Sequence, residues 1–287
     1  MKIWESLEPV ADRYDGFVLD LWGVVHDGRK PYAGVPECLR EMRRRGKRVV
    51  FLTNAPRRSW FIANMLDGMG LERDLYDGII SSGEVTWRWL KDRTHPFFAA
   101  LRGRRAFHIG PERDLSVVED GAAEIVSSPE EADLLLNTGP DPERGPRSVE
   151  PYREDLRACF AAGLPMVCVN PDRAVMVAGE RILCAGALAD VYAEWGGSIC
   201  EVGKPDPAVY GPVLEMLGVA DRRRILCVGD TPHTDLRGAQ AAGLDAFWAL
   251  TGLTEDAHGS NPSPALLARV AEEEGAHPLG ALRRLNW

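Results

Sequence analysis

The sequence predicts an α/β protein whose mostly parallel sheet is buried on both faces. One pattern indicates this fold: a helical stretch of mixed polar and apolar residues ends in glycine, and a short apolar strand follows. The pattern recurs at residues 37–54, 155–170, 214–230 and 239–250. Its glycines suit the left-handed position that ends a helix, and they are Gly46, Gly163, Gly218 and Gly243. Helices that alternate with apolar strands are typical of βαβ units.

The same alternation, followed along the chain, predicts the individual elements. Short apolar runs predict strands at 16–21, 47–52, 77–81, 105–109, 132–137, 165–169, 198–202, 224–228 and 245–250. Longer mixed stretches predict helices at 35–45, 57–68, 83–91, 150–162, 185–195, 206–217, 234–242 and 263–274. Residues 138–149 are dense in proline and glycine, which predicts a long surface loop.

The composition narrows the classes of function. The 287 residues are 45% hydrophobic and 27% charged, as in ordinary globular proteins, and the net charge is −9. A protein with a net negative charge is disfavoured as a binder of nucleic acid or of an anionic membrane surface, because both carry negative charge themselves. No apolar run approaches the roughly 18 residues of a membrane span, and the first residues show no apolar leader. We therefore expect a cytoplasmic protein with neither a membrane nor a nucleic-acid partner.

The cysteines and histidines do not suggest a metal or disulfide framework. The six cysteines form no CxxC pair and mostly lie in apolar stretches, so we expect buried free thiols in a reducing compartment. The six histidines form no HxH or HxxxH pair, which argues against a zinc site.

Polar residues follow the first two predicted strands where each strand ends. Asp20 closes the apolar run of GFVLDLWGVVHDG, and a buried carboxylate there is costly unless it is paired, bound to metal or used in chemistry. Thr53 and Asn54 end the second strand just before a helix, where free N–H groups favour anions. A turn cap for Asp20 and an ordinary helix cap for Thr53 are the structural alternatives.

Two later segments add a lysine and a pair of acids. Lys204 stands between a strand and a helix in EVGKPDPAVYG, where it could neutralise phosphate charge or simply face solvent. Asp230 ends the strand of RILCVGDTPHTD, and Asp235 follows five residues later. Two carboxylates at this spacing can converge on a hard cation such as Mg²⁺.

Together these segments resemble the haloacid dehalogenase (HAD) superfamily, in the order nucleophile, threonine, lysine and paired-acid motif. DLWGVVHDG, TNAPRRS, GKPDP and GDTPHTD are most similar to its class IIA, which includes phosphatases of sugar phosphates and nucleotides. The resemblance covers the whole chain and is strongest at 16–60 and 198–250. It implies a Rossmann-like core with an inserted α/β cap of the C2 type, and Mg²⁺-dependent removal of phosphate from a small phosphorylated metabolite.

The resemblance also implies a role for each matched residue. Asp20 would be the nucleophile that forms an aspartyl phosphate, and Thr53 and Lys204 would hold the phosphoryl oxygens, with Asn54 supporting that loop. Mg²⁺ would be bound by Asp20, the backbone carbonyl of Trp22, Asp230 and Asp235. The chemistry agrees, because a carboxylate that attacks an anionic phosphoryl group needs cations to offset the repulsion.

Spacing places the inserted domain. Only 32 residues separate Asp20 from Thr53, whereas 150 separate Thr53 from Lys204. We therefore assign 1–84 and 186–287 to the core and 85–185 to the cap. Within the cap, Asn170-Pro171-Asp172 resembles a loop near the substrate in related enzymes, although it could be a plain turn. Caps in this family often form dimer contacts, so a homodimer is a further expectation.

Trp22 departs from the family pattern, which has a second aspartate two residues after the nucleophile as the general acid. Indole carries no titratable proton in this range. We therefore expect slow turnover of sugar phosphates and better turnover of aryl phosphates, unless another acid replaces it. The candidates are His26, Asp27, His233 and Asp172, with His26 first because it shares the nucleophile loop and titrates near neutrality.

Three other functions compete with a phosphatase. A dehalogenase also has an aromatic residue at this position, but it uses no metal and lacks the paired acids. A phosphonatase-like enzyme would need a Schiff-base lysine, and the insert offers essentially Lys91. A weakly active or non-catalytic protein that binds phosphorylated ligands is the third alternative.

Overall fold

Two parallel sheets organise the chain, and the computed structural model describes residues 1–177 and 179–287. The strands are β1 (Ile3–Trp4), β2 (Gly16–Leu19), β3 (Arg48–Thr53), β4 (Gly78–Ser81), β5 (Arg105–Ile109), β6 (Glu124–Val126), β7 (Leu134–Asn137), β8 (Met166–Cys168), β9 (Ala174–Val177), β10 (Glu180–Leu183), β11 (Ile199–Glu201), β12 (Ile225–Gly229), β13 (Asp245–Ala249) and β14 (Gly280–Leu282).

The helices connect these strands and cover the sheets. They are α1 (Glu8–Ala11), α2 (Val35–Arg44), α3 (Ser59–Gly68), α4 (Ser82–Asp92), α5 (Pro96–Ala99), α6 (Arg153–Ala161), α7 (Ala185–Glu194), α8 (Tyr210–Leu217), α9 (Arg237–Ala241), α10 (Gly252–His258) and α11 (Pro264–Glu273). Short 3₁₀ segments precede several of them, and residues Pro232–Leu236 form a π-helical turn before α9.

The larger sheet has seven parallel strands in the order β1-β14-β13-β12-β2-β3-β4. Its central strand β12 and the neighbouring strand β2 are both buried along their whole length. Apolar side chains pack on both faces of this sheet, as the continuous apolar strands predict. The predicted α/β class with a parallel sheet is therefore confirmed.

The second sheet has five parallel strands in the order β11-β8-β7-β5-β6. It lies between β4 and β12 in the sequence and packs around its own apolar cluster with α6 and α7. An antiparallel hairpin of β9 and β10 extends from it. This insert is the cap of the predicted fold class.

Local sequence explains the connecting helices. In α2 the buried residues Val35, Cys38, Leu39 and Met42 recur at helical spacing, so one face of the helix packs on the sheet. In α4 the Ser81 hydroxyl accepts a hydrogen bond from the Glu84 N–H at 3.0 Å, which caps the helix. The four glycines of the recurring pattern all have φ between 62° and 71°, as predicted for helix ends.

The elements that follow the predicted domain boundary at 185/186 pack with the second sheet. Helix α7 packs on β7, β8 and β11, and β11 pairs with β8 in the second sheet. Residues 186–201 therefore belong structurally with the cap. We propose that the cap extends to about residue 201 and that the chain returns to the core just before Lys204.

Two predictions about composition can be compared with the structure. All six cysteines are free thiols, five of them buried and Cys200 half-buried. Within residues 1–177 and 179–287, no helix combines the length and the apolar character needed to cross a bilayer.

Candidate active site

The predicted site residues gather at the carboxyl edge of the larger sheet. Asp20 follows β2, Thr53 ends β3 and Asp230 follows β12, and these three strands are neighbours in the sheet. Asp235 lies in the π-helical turn after β12, and Lys204 arrives from β11 of the cap sheet. Ligands of parallel α/β sheets bind beyond this edge.

The Lys204 ammonium is the centre of the polar cluster. It donates to Asp20 Oδ1 at 2.6 Å, to Asp235 Oδ1 at 2.7 Å and to the Leu52 carbonyl at 3.0 Å. All three of its N–H bonds are therefore used. Burial alone would lower the pKa of Lys204, but the two carboxylates more than offset this and hold it above its usual value. The ammonium is a fixed positive charge beside Asp20.

Three buried carboxylates converge where this single ammonium lies. One oxygen from each of Asp20, Asp230 and Asp235 falls within 4.8 Å of the others. Burial raises the pKa of Asp20 to about 7, with the Asp235 charge adding to the shift and Lys204 opposing it. Burial and the neighbouring carboxylates also raise the pKa of Asp230 well above its ordinary value. The three carboxylates offer oxygen ligands, and together they carry more negative charge than the Lys204 ammonium neutralises. The cluster therefore fits a hard divalent cation such as Mg²⁺.

The loops around Asp230 fix its carboxylate. Oδ2 accepts the Leu253 N–H at 2.7 Å, and Oδ1 accepts the Thr231 hydroxyl at 3.1 Å. A side chain at Gly23 would overlap this carboxylate, so the glycine after Trp22 permits the nucleophile loop to approach Asp230.

The Asn54 amide connects the loop after β3 to Lys204 and to the cap. Its Oδ1 accepts the Lys204 backbone N–H at 2.8 Å and the Ser82 hydroxyl at 3.3 Å. Its Nδ2 donates to the Lys204 carbonyl at 3.1 Å and to Asp172 Oδ1 at 2.9 Å. These contacts use both polar atoms of the Asn54 side chain and hold Lys204 in place, and a direct role of Asn54 in binding phosphate stays a prediction.

The other predicted phosphate-binding residues border the same space. Thr53 is buried, and its hydroxyl oxygen accepts the Ala55 N–H at 3.3 Å, which leaves the hydroxyl proton available to a ligand. Asn170 uses its Oδ1 to hold the Asp172 N–H at 3.0 Å. Thr53, Asn170 and Asp172 all line the cavity, so direct contact with substrate remains a prediction for them.

A cavity of about 370 Å³ separates the core edge from the cap. Asp20, Lys204, Asp230 and Asp235 form its polar end. The hairpin β9–β10 and the loop 138–149 supply an apolar opposite wall, which includes Pro140, Pro142, Pro146, Val175, Ile182 and Leu183. The volume suits a small metabolite.

Trp22 lines the cavity, but the nominated acid His26 does not. His26 is fully buried with its ring 5.0 Å from the Trp22 ring, and its Nδ1 accepts the Gly28 N–H at 3.0 Å. Burial lowers the pKa of His26 to about 4, so the ring is neutral at physiological pH. The expectation that His26 leads the replacement acids is therefore wrong, because it neither reaches the cavity nor holds the extra proton.

Two more nominated groups also lie outside the cavity. Asp27 accepts the N–H groups of Arg29 and Lys30, both at 2.9 Å, and caps an exposed turn. His233 is 3.1 Å from Arg237 on the surface. Lys91, the lysine considered for a Schiff base, is exposed on α4 with its Nζ 5.0 Å from the Trp87 ring centre.

Sequence reasoning missed an ion pair across the cavity. Arg57, in the loop after β3, donates to Asp114 of the cap at 2.5 Å, and both residues line the cavity. Arg58 continues the contact toward Glu119 and Asp120. The residues TNAPRRS place two arginines at the strand end, but their partners are more than fifty residues away, beyond the reach of a local pattern.

The fold and this edge of polar residues define an α/β protein with a parallel-sheet core, an inserted cap and a carboxylate-rich site between them. A model of the haloacid dehalogenase-like hydrolase family matches residues 17–123, and a HAD-hydrolase-like model matches residues 201–273. A solved hydrolase of the haloacid dehalogenase-like family from Brucella suis 1330 is 31% identical, with 98% of this chain and 99% of that chain covered and a TM-score of 0.82. The chain belongs to the haloacid dehalogenase-like hydrolase family.

Two characterised relatives match over most of the chain. The sugar-phosphatase AraL of Bacillus subtilis is 26% identical, with 83% of both chains covered. Phosphoglycolate phosphatase 2 of Arabidopsis thaliana is 24% identical, with 88% of both chains covered. Both relatives are named as phosphatases of small phosphorylated compounds.

Proposed function

We propose that this hydrolase is a Mg²⁺-dependent phosphatase that removes phosphate from a small phosphorylated metabolite through an aspartyl phosphate on Asp20. The observation that carries the proposal is the Asp20 carboxylate, held at 2.6 Å by the Lys204 ammonium at the polar end of the cavity. A carboxylate beside a fixed cation can approach an anionic phosphoryl group with reduced repulsion.

The first chemical step transfers the phosphoryl group to the enzyme. An Asp20 oxygen forms a bond to phosphorus while the bond from phosphorus to the ester oxygen breaks, and that oxygen takes up a proton as the alcohol leaves. The Thr53 hydroxyl borders the same space and would hold one phosphoryl oxygen. The three N–H bonds of the Lys204 ammonium are used within the protein, so Lys204 would hold a second oxygen by exchanging its hydrogen bond to Asp20. In the second step a water oxygen bonds to phosphorus, the bond from phosphorus to Asp20 breaks, and phosphate leaves.

Asp20, Asp230, Asp235 and the backbone carbonyl of Trp22 would hold Mg²⁺, which when bound supplies the positive charge that the site lacks. Asp230 and Asp235 favour this activity over metal-free dehalogenation, because they add buried negative charge that only a cation would offset. The position of Lys91 outside the cavity gives no support to a Schiff-base mechanism.

The test is phosphate release from sugar phosphates, nucleotides, pyridoxal phosphate and p-nitrophenyl phosphate with added Mg²⁺. We expect turnover by the native chain and none by Asp20→Asn, which keeps the shape of the side chain. Circular dichroism should show that the variant is folded.

Equal turnover by both proteins would refute the nucleophile assignment. Binding of phosphorylated ligands without turnover by either protein would instead establish the non-catalytic alternative.

A further inference from the structure

We propose that Asp172, on the cap, is the general acid that protonates the leaving group and then the general base that activates water. The inference rests on the proposed phosphatase function and assigns the role left open by Trp22. The leaving oxygen of an alkyl phosphate needs a proton, and the indole at position 22 has none to give.

The groups around the cavity leave few candidates for this role. Among the described residues that line it, Asp20, Asp230 and Asp235 form the carboxylate cluster and Asp114 is engaged by Arg57. Arginine stays protonated, and burial raises the pKa of the Cys184 thiol well above its usual value, so neither is a useful donor. Among the carboxyl groups of the described residues that line the cavity, Asp172 is the one that remains.

The environment of Asp172 orients its carboxyl group. Oδ1 accepts the Asn54 amide at 2.9 Å, and the Asp172 N–H is held by Asn170 Oδ1 at 3.0 Å. Oδ2 receives no hydrogen bond from the described residues and is available to carry a proton. Asn54 also accepts a hydrogen bond from the Lys204 backbone N–H. The same amide side chain therefore positions the Asp172 carboxyl group and Lys204, whose ammonium contacts Asp20.

The charges around Asp172 suit proton transfer near neutrality. Burial raises its pKa to about 6, whereas Lys204 and the Asn54 hydrogen bond oppose the shift. The Asp235 and Asp20 carboxylates and the Cys184 thiol also face it. Arg173 is directed instead to Asp190 at 2.6 Å and Glu201 at 2.8 Å. A general acid works best when its pKa is close to the working pH.

The proton balance closes over the two steps. As the ester bond from phosphorus to oxygen breaks, the proton on Asp172 moves to the departing oxygen and leaves a carboxylate. That carboxylate then takes a proton from the water that attacks the phosphorus of the Asp20 ester. The group returns to its protonated form as phosphate leaves, and no other reactant is needed.

The experiment compares native chain, Asp172→Asn and Asp27→Asn on phosphate esters whose leaving groups differ in pKa, from p-nitrophenyl phosphate to glycerol phosphate. Asparagine at 172 keeps an oxygen for the Asn54 amide but cannot transfer a proton. We expect the variant to lose about 10²–10⁴-fold in kcat/KM on the alkyl ester and to stay within about threefold in kcat/KM on the aryl ester, because kcat/KM reports the step in which the leaving group departs. Hydrolysis of the aspartyl phosphate is common to all esters, so kcat of the variant should fall on both. The native chain and Asp27→Asn, a matched acid on the nucleophile loop, should show a shallow dependence on leaving-group pKa.

A steep dependence of kcat/KM on leaving-group pKa in the native chain, or an equal loss of kcat/KM on all esters in Asp172→Asn, would overturn the proposal. Should Asp172→Asn not fold, the native pH profile decides: kcat/KM on the alkyl ester should fall above about pH 6, while kcat/KM on the aryl ester should not. If the native chain releases no phosphate even from the aryl ester, the proposed function itself fails, which is a different result from the failure of Asp172.

Discussion

Lys204 supplies one positive charge to three buried carboxylates, and this imbalance dominates the chemistry of the individual residues. Its hydrogen bonds offset the charges of Asp20 and Asp235, whereas Asp230 accepts hydrogen bonds, among the described residues, from the Thr231 hydroxyl and the Leu253 N–H alone. Uncompensated buried charge is expensive, and this cost supports the proposed cation site.

Removal of one carboxylate should remove most of the affinity for the cation. We expect Mg²⁺ at 100 times its Kd to stabilise the native chain by about 2.7 kcal/mol, and to stabilise Asp230→Ala hardly at all. Thermal melts with and without Mg²⁺ measure this, and activity should vanish in chelator and return with Mg²⁺. Asp256→Ala, an exposed acid on α10, is the control. Full activity of the native chain in chelator would contradict the metal assignment.

Gly28 supports the Trp22 ring that lines the cavity. Its φ is +89°, and a side chain there would overlap the indole. Gly28→Ala should therefore cost about 1–3 kcal/mol more than the control Gly46→Ala, because overpacking adds to backbone strain. Gly46 has φ +69° with no atom within 4 Å of an added Cβ. Urea denaturation compares the two variants, and equal losses would show that the indole does not depend on Gly28.

At the scale of elements, the pair Arg57–Asp114 joins the loop after β3 to the cap. Asp114→Asn removes the charge but not the acceptor, and we expect KM to rise about tenfold, or about 1.4 kcal/mol, with kcat nearly unchanged. The reason is that this pair joins the core loop to the cap at the edge of the cavity and has no hydrogen bond to Asp20, so its loss should weaken substrate binding more than the chemical step. Glu150→Gln breaks an exposed pair with Arg153 on the cap and should change neither constant. A fall in kcat at constant KM would assign the pair to the chemistry instead.

The elements that sequence patterns predicted are those with long apolar or periodic segments. Strand β5 has its predicted bounds, 105–109, and β2 and β12 fall within a residue or two of theirs. The terminal strands β1 and β14 have only two and three residues, too few to show a period. Sequence patterns do not predict the hairpin β9–β10, because the Ala-Gly pair between AVMV and ERIL is not one of the strong two-residue turn signals such as Asn-Gly or Asp-Gly. Its strands are partly exposed, so their burial pattern is weak.

At the scale of the whole molecule, the site combines the core sheet with the inserted cap. Asp20, Thr53 and Asp230 could be predicted together because parallel strands end at one edge. The contacts of Asn54 with Asp172 and of Arg57 with Asp114 span 118 and 57 residues and depend on how the cap packs. No local pattern encodes that packing, so the sequence alone favours His26, which lies on the nucleophile loop, over Asp172 as the acid.

The last prediction concerns the stability of the whole chain without metal. The folded-state pKa of Asp20 is about 7 against an ordinary value of 3.8, so the native state binds more protons than the unfolded state between these values. The contribution of Asp20 to the free energy of unfolding is therefore largest below about pH 4. This contribution, roughly 2–4 kcal/mol, is lost as the pH rises through about 7. Asp230, whose pKa is also raised, acts in the same direction.

Mg²⁺ should reverse this loss, because a bound cation replaces the protons that hold the carboxylates in the folded state. We expect urea midpoints of the metal-free chain to decrease from pH 5 to pH 8, those with Mg²⁺ to stay nearly level, and those of metal-free Asp20→Asn to decrease less. Chelator-treated protein at each pH provides the baseline. A metal-free midpoint that rises with pH would mean that the buried carboxylates are stabilised by their surroundings, and the cluster would then not require a cation.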